Sequence, residues 1–485
     1  MRSHLVRSLL APRGAARIAR HRRAFSTTLS SRSWRDAVDV SGRDTRVCAV
    51  LGGQWGDEGK GKLADVLAKG YDIVARFNGG ANAGHTVVVG DQKFAFHLLP
   101  CGLVYPHTQN ILGNGVVVHM PALFEELAPL DDAGIEWRGR LQISDRAHML
   151  FDFHQAVDGM QEERRADANI GTTKKGIGPA YSSKATRNGV RFGQLLHWDS
   201  FKDSLTAAAD AHTRQYGVEI DVAAELERYR GYRDTLVEGN MIIDSVQVVN
   251  QAYNDGKRII TEGANAAMLD LDFGTYPFVT SSSTTVGGIC TGLGLSPDKV
   301  ECPLGVIKAY TTRVGWGPFP TELTDDLSGG MLPRGAPGTE IGEHMQRVGA
   351  EFGVTTGRKR RCGWFDAVVA QYGHMINNYR SVNITKLDVL DDLEEVKIGV
   401  AYKLNGQRLP RGAMPATLED LGRVEVEYET MPGWKTDISG ARTFEELPGN
   451  AQAYINRIEE LVGCPVSWIG VGVGRDDMAT KGFTV

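Results

Sequence analysis

Apolar and polar positions follow two patterns that alternate along most of this chain: short apolar runs and stretches with helical spacing. The runs Val47–Leu51, Asp72–Arg76, Thr86–Val89, Arg258–Thr261, Val306–Tyr310, Ser381–Thr385, Val396–Tyr402 and Val466–Ile469 predict strands. Lys62–Lys69, Pro121–Leu127, Phe365–Asn378 and Ala451–Val462 predict helices, with apolar residues recurring every three to four positions. Such alternation implies an α/β fold. The charged stretch Ser200–Met241 predicts a helical excursion at the periphery. Ser328–Gly338, rich in Gly and Pro, predicts a surface loop within one domain. No internal repeat stands out, and no interdomain linker follows residue 46.

Composition narrows the class. With 485 residues, 42% of them hydrophobic and 23% charged, the chain can bury an ample core. No run of eighteen apolar residues is present, so no membrane span is expected. The six cysteines are scattered, with no C-x-x-C pair, which argues against a disulfide framework or a zinc site and for a reducing compartment.

The N-terminus departs from the rest. Residues 1–35 hold nine arginines and no Asp, Glu or Lys. That composition reads as a mitochondrial transit peptide, with Arg23-Ala-Phe-Ser26 as a processing site, and predicts a matrix protein. The alternative is a basic tail on a cytoplasmic protein. Residues 1–45 are therefore read as transit peptide and linker, and 46–485 as the folded domain. The net charge is −5 overall, so without those nine arginines the remainder carries −14. Nucleic acid is a poor partner for so acidic a body.

Candidate chemistry begins at Gly53-Gln-Trp-Gly-Asp-Glu-Gly-Lys-Gly-Lys62. An apolar strand precedes it and a helical pattern follows, the context in which backbone N–H groups and a helix N-terminus bind phosphate. The loop departs twice from the Walker pattern. Five residues, not four, separate Gly53 from Gly59, and Gly61 stands where a metal-binding hydroxyl is expected. Asp57 can replace that ligand, since a carboxylate beside phosphate is repulsive unless it binds metal or takes a proton.

Asn78-Gly-Gly-Ala-Asn-Ala-Gly-His-Thr86 follows the second strand, and His85 can donate to a phosphoryl oxygen or act as general acid. Thr385-Lys-Leu-Asp388 closes another strand and resembles the guanine-reading element of GTPases. One carboxylate there accepts from both the ring N–H and the exocyclic amine of guanine, and the lysine stem can cover the base. Gly470-Val-Gly-Val-Gly-Arg475 can wrap a base or ribose. Thr355-Thr-Gly-Arg-Lys-Arg-Arg361 combines hydroxyls with four cations and suits a dicarboxylate or phosphate. Ile170–Pro179 and Thr275–Ser282 are further loops rich in hydroxyls and glycine.

Together these motifs resemble the adenylosuccinate synthetase family from Val47 to about Arg475, through Gln54-Trp-Gly-Asp-Glu-Gly-Lys-Gly-Lys62, Asn82-Ala-Gly-His85, Gly171-Thr-Thr173, Gly274-Thr-Tyr-Pro277, Thr356-Gly-Arg358 and Lys386-Leu-Asp388. The resemblance implies a ligase that joins IMP and L-aspartate using GTP and one Mg²⁺ per subunit. It also implies a single large α/β domain around a mostly parallel sheet, a P-loop-like GTP site and a homodimer. Asp57 and His85 would be catalytic, and Asp57 and the Gly84 carbonyl would bind the metal. The GTP site would comprise Gly56, Asp57, Glu58, Gly59, Lys60, Gly61, Lys62, Gly84, His85, Thr86, Arg360, Lys386, Leu387, Asp388, Gly470, Val471 and Gly472.

By the same resemblance IMP would meet Asp57, Glu58, Gly59, Lys60, Asn82, Ala83, Gly84, His85, Thr173, Asn265, Thr280 and Arg358, with Arg187 reaching the neighbouring subunit's IMP. Val354, Thr355, Thr356, Gly357, Arg358, Lys359 and Arg360 would grip aspartate. Two departures stand out. Asn265 replaces a Gln common in bacterial members, and Gly470-Val-Gly472 replaces a loop that contains Ser or Thr.

Overall fold

The computed structural model describes residues 45–89, 92–165, 170–324, 339–353 and 357–482, with the backbone alone at 85, 86, 88 and 89. The predicted transit peptide, the predicted loop Ser328–Gly338 and residues Val354–Thr356 lie outside these.

Val47–Gly52 (β1) is buried at every position, as a strand covered on both faces must be. Its side chains divide by parity. Cys48 and Val50 join one hydrophobic cluster, and Val47, Ala49 and Leu51 join a second on the opposite face. The same alternation holds in Ile73–Arg76 (β2), where Val74 faces one cluster and Ile73 and Ala75 the other.

Eight more strands complete the sheet: Gln109–Leu112 (β3), Leu141–Ser144 (β4), Ile242–Ile243 (β5), Ile259–Ala266 (β6), Cys302–Lys308 (β7), Ser381–Thr385 (β8), Val466–Gly470 (β9) and Met478–Thr480 (β10). Their order across the sheet is β10-β9-β8-β7-β1-β6-β2-β3-β4-β5. Every neighbouring pair is parallel except β9 with β10, at one edge. The chain leaves β1 toward the β2 side and leaves β7 toward β8, so β1 and β7 flank a topological switch point. In open α/β sheets ligands bind outside the carboxyl ends of the strands at such a point.

Helix Lys60–Ala68 (α1) packs Leu63, Ala64, Leu67 and Ala68 on the sheet. Asp152–Arg164 (α2) and Ile177–Thr186 (α3) lie together, as do Ala367–Asn377 (α4) and Gly449–Val462 (α5). The excursion expected at Ser200–Met241 is helical, over Trp198–Tyr216 and Val222–Glu238. It is less peripheral than its charge suggested, because Phe201, Leu205, Tyr229 and Leu236 are buried in the first cluster. No described helix is long and apolar enough to cross a membrane.

Candidate active site

The loop after β1 is built around Glu58, whose side chain is fully buried. One carboxylate oxygen accepts from the backbone N–H of Gln54 (3.1 Å) and Gly56 (2.8 Å), and the other from Lys60 Nζ (3.0 Å). Gly52 is required behind it, for a Cβ there would stand 2.6 Å from Glu58 Oε2. Glu58 is therefore an internal strut, and only its backbone can meet a ligand. Gly56, Asp57 and Gly59 all have left-handed backbones (φ 94°, 56° and 82°), folding the loop back on itself. Glycine adopts this region freely and aspartate tolerates it. Thr385 Oγ1 donates to the Glu58 carbonyl (2.7 Å), tying the loop to β8. The Asp57 carboxylate, 40% exposed, lies on the cavity side. Helix α1 starts at Lys60, two residues before the predicted start. Its N-cap is Gly59 and has no side-chain cap, so its first N–H groups are left for a ligand.

The loop after β2 forms the facing wall. Arg76, fully buried, donates to the carbonyls of His97 (3.0 Å), Leu98 (3.0 Å) and Gly80 (3.3 Å), and burial lowers its pKa. His97 Nδ1 lies 2.7 Å from the Ala83 carbonyl, and Lys175 Nζ donates to that of Ala81 (3.1 Å). Asn82 Nδ2 reaches Asn265 Oδ1 (3.3 Å) and Thr280 Oγ1 (3.4 Å), joining three predicted IMP residues directly. Gly84, Asp57, Gly59, Lys60 and Thr173 line the same cavity of about 300 Å³, as does Arg360. His85 begins a strand, His85–Val89, but its side chain and that of Thr86 lie outside the described set.

The cation-rich segment joins this cavity at one point. Arg360 precedes strand Arg361–Gly363, which pairs antiparallel with Thr311–Arg313 and so holds Arg360 over the loop. Its Nε donates to Asp57 Oδ2 at 2.5 Å. Arg358 is exposed and reaches the Gly171 carbonyl (3.3 Å), bridging toward the Ile170–Pro179 loop. Gly357 and Lys359 are exposed.

A second group of predicted residues stands at the ends of β8 and β9. Lys386 has φ 57° and donates to the Gly349 carbonyl (2.6 Å) and to Glu351 Oε1 (2.8 Å). Glu351 also accepts from Lys308 Nζ (2.7 Å) and Tyr310 Oη (2.5 Å). Burial works against its charge, but Lys308 and Lys386 outweigh that and hold the carboxyl below the usual range. Asp388 Oδ1 is buried and lacks a hydrogen-bond partner among the described residues, and burial raises its pKa despite nearby Lys62 and Lys386. A buried acceptor with no donor among the described residues is open to a donor from a ligand.

Lys62 Nζ donates to the carbonyls of Gly472 (3.0 Å) and Asp477 (2.8 Å), closing α1 onto the C-terminal loop. Burial lowers its pKa to about 8, with Asp477 and Asp388 opposing. Val471 and Leu387 point into the core and Gly61 is buried in α1, so these three predicted contacts have only backbone to offer. Arg187 is not on the cavity. It caps the C-terminus of α3 with φ 66° and is exposed.

Sequence reasoning missed several structural pins. Arg313 is buried and lies over the Trp55 ring (5.0 Å to its centroid), and both donate to Thr275 Oγ1, at 3.0 and 3.3 Å. Arg313 stands outside the apolar runs, whereas Arg76 in Asp72–Arg76 and Lys308 in Val306–Tyr310 carried an available signal, a charge within a predicted strand.

Known proteins resemble this chain over most of its length. The family model for adenylosuccinate synthetase matches residues 49–479. The adenylosuccinate synthetase of Paramecium tetraurelia is 53% identical over 442 residues, covering 91% of this chain and 99% of that protein. A relative from Ostreococcus tauri, named as chloroplastic, is 52% identical over 437 residues, covering 90% of this chain and 88% of its own. The solved structure of fully ligated adenylosuccinate synthetase from Plasmodium falciparum superposes with a TM-score of 0.83 at 45% identity, over 90% of this chain and all of that one. The chain belongs to the adenylosuccinate synthetase family.

Proposed function

We propose that this protein ligates IMP and L-aspartate to adenylosuccinate with conversion of GTP to GDP and phosphate, a step of AMP biosynthesis. The observation that carries the reading is Asp57. It is a carboxylate inside a phosphate loop, turned by a left-handed backbone onto the cavity that Asn82, Asn265, Thr280 and Thr173 share. Such a group has little use in a plain phosphate-binding loop but serves a reaction that must first remove a proton.

Asp57 takes the N1 proton of IMP, and the resulting 6-oxygen attacks the γ-phosphorus of GTP as GDP leaves. The aspartate amine then adds at C6 and phosphate departs, taking with it an oxygen that was a poor leaving group before phosphorylation. Positioning and charge stabilisation supply the rate. Lys60 and the N-terminus of α1 bear on the phosphates, and His85 on the transferring group. Asp388 reads guanine, the unfilled acceptor at Oδ1 being the support for this role. Asn82, Thr173, Asn265 and Thr280 hold IMP, and Thr355, Thr356 and Arg358 hold aspartate. Arg360 serves both aspartate and GTP, and its bond to Asp57 keeps the base aimed before substrates arrive.

The donors at the cavity suit Mg²⁺. Asp57 offers a carboxylate and Gly84 a carbonyl, both hard oxygens. A site with few protein ligands fits an ion that keeps phosphate oxygens and water. Bound there, it would neutralise charge developing on the phosphates.

Arg187, exposed on α3, completes the IMP site of a second subunit in a homodimer. Residues 1–45 form a presequence for the mitochondrial matrix, with the cytoplasm as the alternative, and import of a reporter fused to them decides between the two. For the reaction itself, purified protein is given IMP, GTP, Mg²⁺ and aspartate, and adenylosuccinate is read by absorbance. No product, or equal rates with ATP in place of GTP, would sink the assignment.

A further inference from the structure

The Ile170–Pro179 loop, which carries Thr173 to the cavity, is irregular over its first half. Its backbone is left-handed at Gly171, Lys174 and Gly176 (φ 82°, 54° and 75°), and residues 170–176 belong to no strand or helix. Backbone N–H groups there need partners from elsewhere. Two carboxylates of α2 supply them. Glu162 Oε1 accepts from the N–H of Gly171 and of Thr172 (3.2 Å), and Oε2 from that of Ile170 (3.3 Å). Asp158 Oδ2 accepts from Gly176 N (2.9 Å). Asp158 and Glu162 lie four residues apart, on one face of the helix, and both are buried.

We infer that Glu162, supported by Asp158, is a positioning residue that holds the Ile170–Gly176 loop so that Thr173 faces IMP. This rests on the assignment of Thr173 above. The chemistry calls for a carboxylate. Three N–H donors converge on Glu162, and an ionised carboxylate is all acceptor, whereas Gln would turn an NH₂ group toward some of them. With these amides engaged from behind, and the Thr172 side chain accepting from Lys174 N (3.3 Å) and bonded to Asp158, Thr173 is the threonine of this loop whose hydroxyl is open to a ligand. Arg165 lies 3.9 Å from Glu162 and also lines the cavity, so the buried charge has a cation beside it.

The test is steady-state kinetics on the full chain with each substrate varied in turn. Glu162→Gln should raise the KM for IMP about tenfold, the scale of one lost charged hydrogen bond. The kcat and the KM for GTP should stay within about threefold, because only the loop's aim is disturbed. Glu162→Asp, which keeps the acceptor on a shorter arm, should fall between. Asp158 holds one N–H, that of Gly176, and the Thr172 side chain, so Asp158→Asn should give a smaller rise in the same constant, a second readout if Glu162→Gln does not fold. An unchanged KM for IMP in these variants overturns the inference, as does a parallel loss in every parameter with the melting temperature. Thr173→Ala separates the two claims. If it raises the KM for IMP while Glu162→Gln does not, the positioning role alone fails. If it leaves that KM unchanged, the Thr173 assignment fails and the inference falls with it.

Discussion

Asp57 and Glu58 are adjacent carboxylates with opposite surroundings. Glu58 is fully buried and spends its oxygens on two backbone amides and Lys60, whereas Asp57 faces the cavity with Arg360 on one oxygen. Their order in the loop, with the left-handed positions beside them, sets which one can act as base. Asp57→Asn removes the proposed base but keeps shape and hydrogen-bonding ends, so we expect nucleotide binding to persist while kcat falls about 10²–10⁴-fold. Titration with a fluorescent GDP analogue and measurement of kcat check the two halves, and wild-type turnover would remove Asp57 from its role. Asn265 can be understood at the same scale. Its backbone is left-handed (φ 64°), a region where Asn is enriched, and its short side chain already meets Asn82. The amide at this position is thus held by its own backbone rather than by a longer arm.

Among the elements, the strands that carry the candidate site were legible in the sequence, because fully buried parallel strands read as apolar runs and the candidate loops follow directly after them. β1, β2, β8 and β9 were found within a residue or two. β7 starts at Cys302 rather than Val306, since Pro303 and Gly305 lie inside it and both normally argue against a strand. The strands β3, β4 and β5 were missed, being two to four residues long with polar members such as Gln109, Asn110 and Gln142. Strand order and buried pins such as Glu58 depend on contacts between distant segments, which leave no local pattern. The segment carrying Arg187 shows this best. Its neighbour Gly189 packs on His148, where a Cβ would meet the ring at 2.6 Å, and His148 Nδ1 has no hydrogen-bond partner among the described residues. Burial lowers the His148 pKa to about 4, helped by Lys184 and Arg191. An unfolded histidine titrates near 6.5, so between pH 6.5 and 4 the unfolded chain binds a proton that the folded one refuses. Stability contributed by the neutral ring is therefore lost as pH falls through that window. His148→Asn should flatten the acid limb of thermal stability by on the order of 2 kcal/mol between those pH values. An unaltered limb would mean that the ring takes its proton without cost.

For the whole molecule, the question is whether one chain contains a complete site. The cavity gathers Asp57, Asn82, Thr173, Asn265 and Thr280 in one subunit, but Arg187 stands exposed away from it. If Arg187 serves the partner, sites in a two-fold dimer are composite, and damage can be complemented across the interface. On that proposal Arg187→Leu would spoil the site of the neighbour, and Asp57→Asn would spoil its own. A dimer with one subunit of each kind has one site with both defects and one with neither. Random exchange makes half of the dimers mixed, so an equimolar mixture should recover about one quarter of wild-type activity from two nearly inactive proteins. Recovery should grow with incubation time as subunits exchange, and should vanish at dilutions where dimers separate. Activity equal to the mere sum of the two variants, under conditions where mixed dimers are shown to form, would place Arg187 outside the composite site.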